Sequence, residues 1–162
     1  MSEKSISVGI GELHVSNEPT VVFIAHGLGS CIGVCMCDKK IRIGGMAHIM
    51  LPEDNGAEAR VPAKFADTGI PKLLETLLEK GAEKFRLEVK LAGGAKMFSL
   101  PGDNHKFDIG RRNFEAVKIA LKSLGLHITA SEVGGTCGRT VFLYPRTGKV
   151  LVKIIGQQPK EI

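Results

Sequence analysis

The sequence predicts an α+β fold in which layered sheets, sandwich-like and largely antiparallel or mixed, are flanked by helices. Three observations carry this prediction. About eight short runs are apolar or alternate as strands do. Only two stretches carry the apolar stripe of a helix. Most of the strand-like runs follow one another directly instead of alternating with helices, which disfavours a doubly wound parallel sheet. The helices are expected to cover the outer faces of the stacked sheets.

Taken in order, Ser5 to Ile10 reads as a first strand, ended by Gly9 and Gly11, and Thr20 to Ile24 as a second, with a turn from Ser16 to Pro19. Next comes a strand-turn-strand signal from Ala25 to Leu51. Small and apolar residues from Ile32 to Cys37 precede a charged cluster, and a second run goes from Ile41 to Met50. From Pro52 to Pro62 the chain is polar and punctuated by glycine and proline, as loops are. Ala66 to Lys80 reads as a helix. Asp67 or Thr68 suits its cap, Pro71 its first turn, and Ile70, Leu73, Leu74, Leu77 and Leu78 form its stripe. Phe85 to Ala92 alternates as a strand and ends at Gly93-Gly94. A second helix is predicted from about Arg111 to Leu124, with Phe114, Val117, Ala120, Leu121 and Leu124 inward. Leu126 to Val133, Arg139 to Tyr144 and Lys149 to Ile155 close the chain as strands.

The 162 residues suit a single domain spanning 1–162, long enough to bury a core without disulfides or metal. A net charge of +5 invites a nucleic-acid reading. Against it, aromatics are only 5%, tryptophan is absent and the lysines are scattered, so no stacking platform or basic stripe is expected. Nothing approaches the ~18 apolar residues of a membrane helix, and the first residues lack the apolar core of a secretory signal. A cytoplasmic protein without membrane insertion is expected. In a reducing compartment Cys31, Cys35, Cys37 and Cys137 are read as thiols, with Cys35 and Cys37 as small core residues. Their spacing lacks the paired knuckles of structural zinc, so no metal is expected.

The hairpin is where chemistry is predicted. With Lys39-Lys40 as a two-residue loop, Asp38 pairs with Ile41 and Cys31 falls opposite His48. Opposed Cβ atoms lie roughly 4.5–5.5 Å apart, close enough for a thiol and an imidazole to share a proton as a thiolate/imidazolium pair. Lys-Lys is poor chemistry for such a loop, which needs positive φ, and a longer loop or a bulge would move the register. Gly27, Gly29 and Ser30 allow a sharp approach to Cys31 and let amides near Ser30 and Cys31 face a developing oxyanion. His26 is a rival base by proximity, whereas His14, His105 and His127 are read as surface or edge residues. The glycines of GLGSCIG do not form a nucleotide loop. Gly33 comes one residue late for the dinucleotide fingerprint, and strand follows it instead of helix.

Five blocks in order, HGLGSCIGVCMCD, GGMAHIMLP, LAGGAKMF, IGRRN and EVGGTCGRTVFLYPRTG, resemble the CheD family of chemoreceptor glutamine deamidases over nearly the whole chain. The resemblance implies a cysteine hydrolase similar in fold to the deamidating cytotoxic necrotizing factor toxins. It would convert receptor glutamines to glutamate without metal or cofactor. The implied substrates are methyl-accepting chemotaxis receptors, and the implied partner in some bacteria is the CheC phosphatase. The family's nucleophile falls on Cys31 and its base on His48. Its third member, typically a threonine, falls on Ala25. That departure leaves the Ala25 carbonyl, Thr20 or Thr136 to orient the imidazole, or else weakens turnover. A weakly active member serving as a binding regulator is the alternative. Arg111 and Arg112, two cations in the first turn of a helix, oppose its macrodipole and are read as a docking point for an acidic partner surface.

Overall fold

A computed structural model describes residues 2–56, 61–98 and 108–162. The reading of His105 as a surface residue lies outside them. Among the described residues ten strands form two sheets of five, and two α-helices complete an α+β fold. The strands are β1 (Lys4–Ser7), β2 (Leu13–Ser16), β3 (Val21–Leu28), β4 (Ile32–Asp38), β5 (Ile43–Ile49), β6 (Glu88–Gly93), β7 (Ile128–Val133), β8 (Arg139–Tyr144), β9 (Lys149–Ile154) and β10 (Lys160–Glu161). Their orders are β1-β3-β8-β9-β10 and β2-β5-β4-β6-β7. Each sheet is antiparallel except for one parallel pair, β1 with β3 and β6 with β7. The two strands beyond the expected eight, β2 and β10, are short edge strands without a sustained alternating run.

The helices α1 (Ala66–Glu79) and α2 (Ile109–Ser123) differ from expectation in placement. Both pack on the same sheet, where Ile70, Leu73 and Leu77 of α1 and Val117 and Leu121 of α2 meet Ile32, Val34 and Met36 of β4. The layers therefore run helices, sheet, sheet. The opposite face of β4 carries Cys35 and Cys37, which join Phe23, Ala25, Val141 and Leu143 in a second core between the sheets. Because β4 and β5 are covered on both faces, every residue of each is buried. That accounts for their nearly continuous small and apolar runs.

Several local expectations are corrected. No side chain caps α1. Its first amides, from Ala66 and Asp67, donate to the carbonyls of Leu51 and Pro52, and Pro71 lies inside the helix instead of its first turn. Leu78, expected in the stripe of α1, falls at the edge of the buried face and is exposed, and Phe85 is 82% exposed in a short 3-10 turn before β6. Helix α2 starts at Ile109, two residues before the expected Arg111, because the Asp108 carboxylate accepts from the Arg111 amide at 3.0 Å.

The hairpin register is also corrected. Lys39 to Arg42 form a four-residue loop, with Arg42 at φ 55°, and Asp38 pairs with Ile43. Two lysines do not supply the two consecutive positive φ values of the tight turn, so the chain adds two residues and places one of them in the left-handed region. Gly33, not Cys31, therefore stands opposite His48. A slip of two residues preserves parity, so Cys31 and His48 still share the face turned toward the second sheet.

Candidate active site

Strand β3 belongs to one sheet and β4 to the other, so Gly29, Ser30 and Cys31 form the crossing between them at one end of the sandwich. The crossing begins with a bulge in β3 between Ala25 and Leu28, where Gly27 takes φ 58° and donates its amide to the Thr140 hydroxyl at 3.2 Å. It is then fixed to the strand end of β6. The Gly94 amide donates to the Cys31 carbonyl and the Ala95 amide to the Gly29 carbonyl, each at 2.8 Å. Gly93, at φ 118°, has no room for a side chain, since a Cβ there would lie 2.1 Å from the Cys31 carbonyl oxygen.

Cys31 is half-buried, and burial raises its pKa above that of an ordinary cysteine. His48 is buried on β5, and burial lowers its pKa against the opposing effects of the Val8 carbonyl and the Glu12 carboxylate. The two shifts favour a neutral thiol and a neutral imidazole in the resting site, not the expected ion pair. Extending the β4–β5 ladder by one step brings Cys31 opposite Met50, so His48 is its diagonal neighbour. Such neighbours stand roughly 7–8 Å apart between backbones, within reach of an imidazole. Among the described residues no hydrogen bond joins Cys31 Sγ to His48.

The imidazole is held from its other side. His48 Nδ1 donates to the Val8 carbonyl at 2.9 Å, which fixes the proton on Nδ1 and leaves the Nε2 lone pair for proton transfer. Its backbone is tied to the same segment, with the His48 amide donating to the Glu12 carbonyl and the Gly11 amide to the His48 carbonyl, both at 3.0 Å. The Val8 carbonyl replaces the orienting groups expected from sequence. Ala25 is fully buried with its carbonyl in the β3–β8 region, and Thr136 is exposed in the β7–β8 connection. Thr20, just before β3, is likewise not the group bonded to His48. His26 is exposed on the outer face of its sheet, away from the inter-sheet core, and is no rival base. His14 sits on edge strand β2 and His127 is exposed, as expected. Cys35 and Cys37 are buried, with Cys37 pushed up to about 12 chiefly by burial, so neither is a nucleophile at neutral pH.

Sequence reasoning missed Asn113, which lies wholly buried in α2 and donates from Nδ2 to the Ser30 and Met50 carbonyls, each at 2.9 Å. Its signal was its place in IGRRN, an amide on the inward face of an amphipathic helix. Arg111 and Arg112 lie on the exposed side of the same helix. They line a cavity of about 330 Å³ together with Pro52, Glu53, Glu115 and Ile119. The structure therefore gathers Cys31, His48, Gly29 and Ser30 at one end of the sandwich. Ala25 packs in the core beneath them, and the arginines lie on the outer surface of α2.

Comparison with known proteins places the chain in a family. The family model described as CheD chemotactic sensory transduction matches residues 50–154. A protein of Symbiobacterium thermophilum named "Probable chemoreceptor glutamine deamidase CheD" is 42% identical over the full length of both chains. Proteins of the same name from Desulfitobacterium hafniense and Clostridium botulinum are 46% and 44% identical. The first aligns over 97% of this chain and 98% of its own, the second over all of both. With such matches running from end to end, the chain belongs to the CheD family.

Proposed function

We propose that this protein hydrolyses the side-chain amide of glutamines on methyl-accepting chemotaxis receptors, with Cys31 as nucleophile and His48 as general acid and base. The observation that carries the reading is the arrangement of these two residues. Both lie on the inter-sheet face at one end of the sandwich, and His48 has its Nδ1 proton committed to the Val8 carbonyl. Family membership and the names of the relatives supply the substrate class.

The steps follow from a neutral resting pair. As Cys31 Sγ attacks the glutamine Cδ, His48 Nε2 accepts the thiol proton, and the carbonyl oxygen becomes an oxyanion facing the amides of Ser30 and Cys31. The carbonyls of Gly29, Ser30 and Cys31 are already engaged, which supports a rigid loop for this role. His48 returns the proton to the amide nitrogen, ammonia leaves, and a thioester remains. Water then gives up a proton to Nε2 and attacks the thioester. The thiol departs with that proton and the product is glutamate. No step draws on a cofactor or metal.

The regulator reading rested on Ala25. The Val8 carbonyl already orients the imidazole, so the missing hydroxyl is no argument against turnover. The same reading places the protein in the cytoplasm, where receptor methylation regions lie, with the CheC phosphatase as a further partner. No helix among the described residues is long and apolar enough to cross a membrane. Arg111 and Arg112 are the proposed contact for acidic receptor or phosphatase surfaces.

The test is incubation with a receptor cytoplasmic fragment, followed by mass spectrometry for the glutamine-to-glutamate change. Conversion is expected for the natural chain and none for Cys31→Ala. His48→Ala is expected to lose roughly 10²- to 10⁴-fold in rate. Conversion by Cys31→Ala would overturn the assignment.

A further inference from the structure

The three carbonyls that lead into and include Cys31 all accept hydrogen bonds. Gly29 and Cys31 are held by backbone amides, while Ser30 is held by a side chain, the Nδ2 of Asn113. The same nitrogen donates to the Met50 carbonyl. Met50 follows directly after the last rung of the β4–β5 ladder, Ile32 with Ile49, at the point where Cys31 would be its partner. Asn113 thus closes the ladder where backbone pairing ends, one hydrogen to the residue before Cys31 and the other to the residue two beyond His48.

Two features point to the hydrogens of this amide as the reason for its presence. Asn113 is 0% exposed, and its Oδ1 has no hydrogen-bond partner among the described residues. An idle buried acceptor is unfavourable, and an apolar side chain would avoid it. Turning the amide over would aim the oxygen at two carbonyl oxygens, so the orientation is fixed by chemistry. The start of α2 is seated against the same strand end. A Cβ on Gly110 would lie 2.6 Å from the Gly94 carbonyl oxygen, so the helix approaches as closely as backbone allows.

We infer that Asn113 is a positioning residue of this site, setting the separation between the Cys31 crossing and the strand that carries His48. The inference rests on the reading of Cys31 and His48 as the reacting pair. Asn113 acts through Ser30 and Met50 and touches no reacting atom. Asparagine is required because one side-chain nitrogen must serve two carbonyl oxygens at once.

The experiment compares the full-length natural chain with Asn113→Asp and Asn113→Ser. An aspartate has one hydrogen to give, and only while protonated; as a carboxylate it faces two carbonyls and repels both. For Asn113→Asp, kcat on a receptor fragment is expected to fall at least tenfold at pH 7.5 with KM within twofold. Part of the loss should return as pH is lowered toward 6, a rise absent from the natural chain. Asn113→Ser, with one hydroxyl hydrogen, is expected to lose several-fold in kcat without that pH-dependent return. In both variants the iodoacetamide alkylation rate of Cys31, read by peptide mass spectrometry on folded protein, should change several-fold. Natural kcat and natural Cys31 alkylation in either folded variant would overturn the inference, as would a loss confined to thermal stability. A natural chain that alkylates normally but converts no glutamine would defeat the proposed function instead, and the alkylation arm would still decide the role of Asn113.

Discussion

His48 Nδ1 and the Val8 carbonyl, 2.9 Å apart, make a main-chain oxygen the third member of the proposed site. A hydroxyl at position 25 is then redundant for orienting the imidazole. Ala25→Thr is expected to leave kcat within about twofold, because Nδ1 is already engaged. Ala25 is fully buried between the sheets, so the added atoms should cost about 1–3 kcal/mol, read as a lower Tm. A threonine variant with several-fold faster turnover would show that the Val8 carbonyl does not complete the site.

A neutral resting pair has a signature separate from turnover. Burial raises the Cys31 pKa and lowers that of His48, so alkylation of Cys31 should titrate above the ~8.5 of a free cysteine. Peptide mass spectrometry separates this signal from that of exposed Cys137. His48→Ala should leave the pH midpoint of that alkylation nearly unmoved while removing most turnover. A Cys31 profile centred below 8 that moves upward in His48→Ala would establish the ion pair instead.

The shared face of Cys31 and His48 was legible in the sequence, but their exact opposition was not. Parity along two strands follows from residue spacing alone, whereas register depends on loop length; Lys39-Lys40 argues against a two-residue loop but does not say how many residues the longer one takes. The helices were equally legible as stripes. That both lie on one sheet depends on the crossing at Gly29 to Cys31, which sends β3 and β4 to different sheets. The Val8 carbonyl left no trace because every residue carries one. Asn113 left only a polar residue at an inward helical position.

Burial of His48 also sets an acid limit on stability. Its folded pKa lies below 6.5, so between the two values the unfolded chain binds the extra proton. This contribution is fully present above about pH 6.5 and is lost as pH falls toward the folded value. Denaturant midpoints measured from pH 7.5 to 5 should fall for the natural chain and fall less for His48→Gln. Equal slopes in the two proteins would contradict the assignment.

At the opposite end of the hairpin, Asp38 is fully buried, yet its carboxyl pKa is lowered. Burial alone would raise it, but the Arg86 guanidinium, which donates from Nε at 2.9 Å, and the Glu83 and Lys40 amides outweigh that effect. Asp38→Ala strands those donors and should destabilise the fold by about 1–3 kcal/mol without altering the Cys31 alkylation profile. Turnover that falls further than the folded fraction would tie this end of the hairpin to the site.

The arginines of α2 allow docking to be tested apart from folding. Arg111 and Arg112 follow the Asp108 cap within the first residues of the helix, where cations oppose the macrodipole and acidic residues favour it. Reversing both charges to glutamate removes that opposition but sets new carboxylates beside Asp108, Glu53 and Glu115, so Tm is expected to shift only slightly. The proposed contact with an acidic surface should weaken over the same change. For a receptor cytoplasmic fragment at low ionic strength, Kd should rise several-fold and its dependence on salt should become shallower. Glu53 and Glu115 line the same cavity and already offset part of the arginine charge, so single reversals should show smaller effects than the pair. A double reversal that folds normally yet binds the receptor fragment with natural affinity and salt slope would remove these arginines from the docking surface. Cys31 and His48 would remain as proposed.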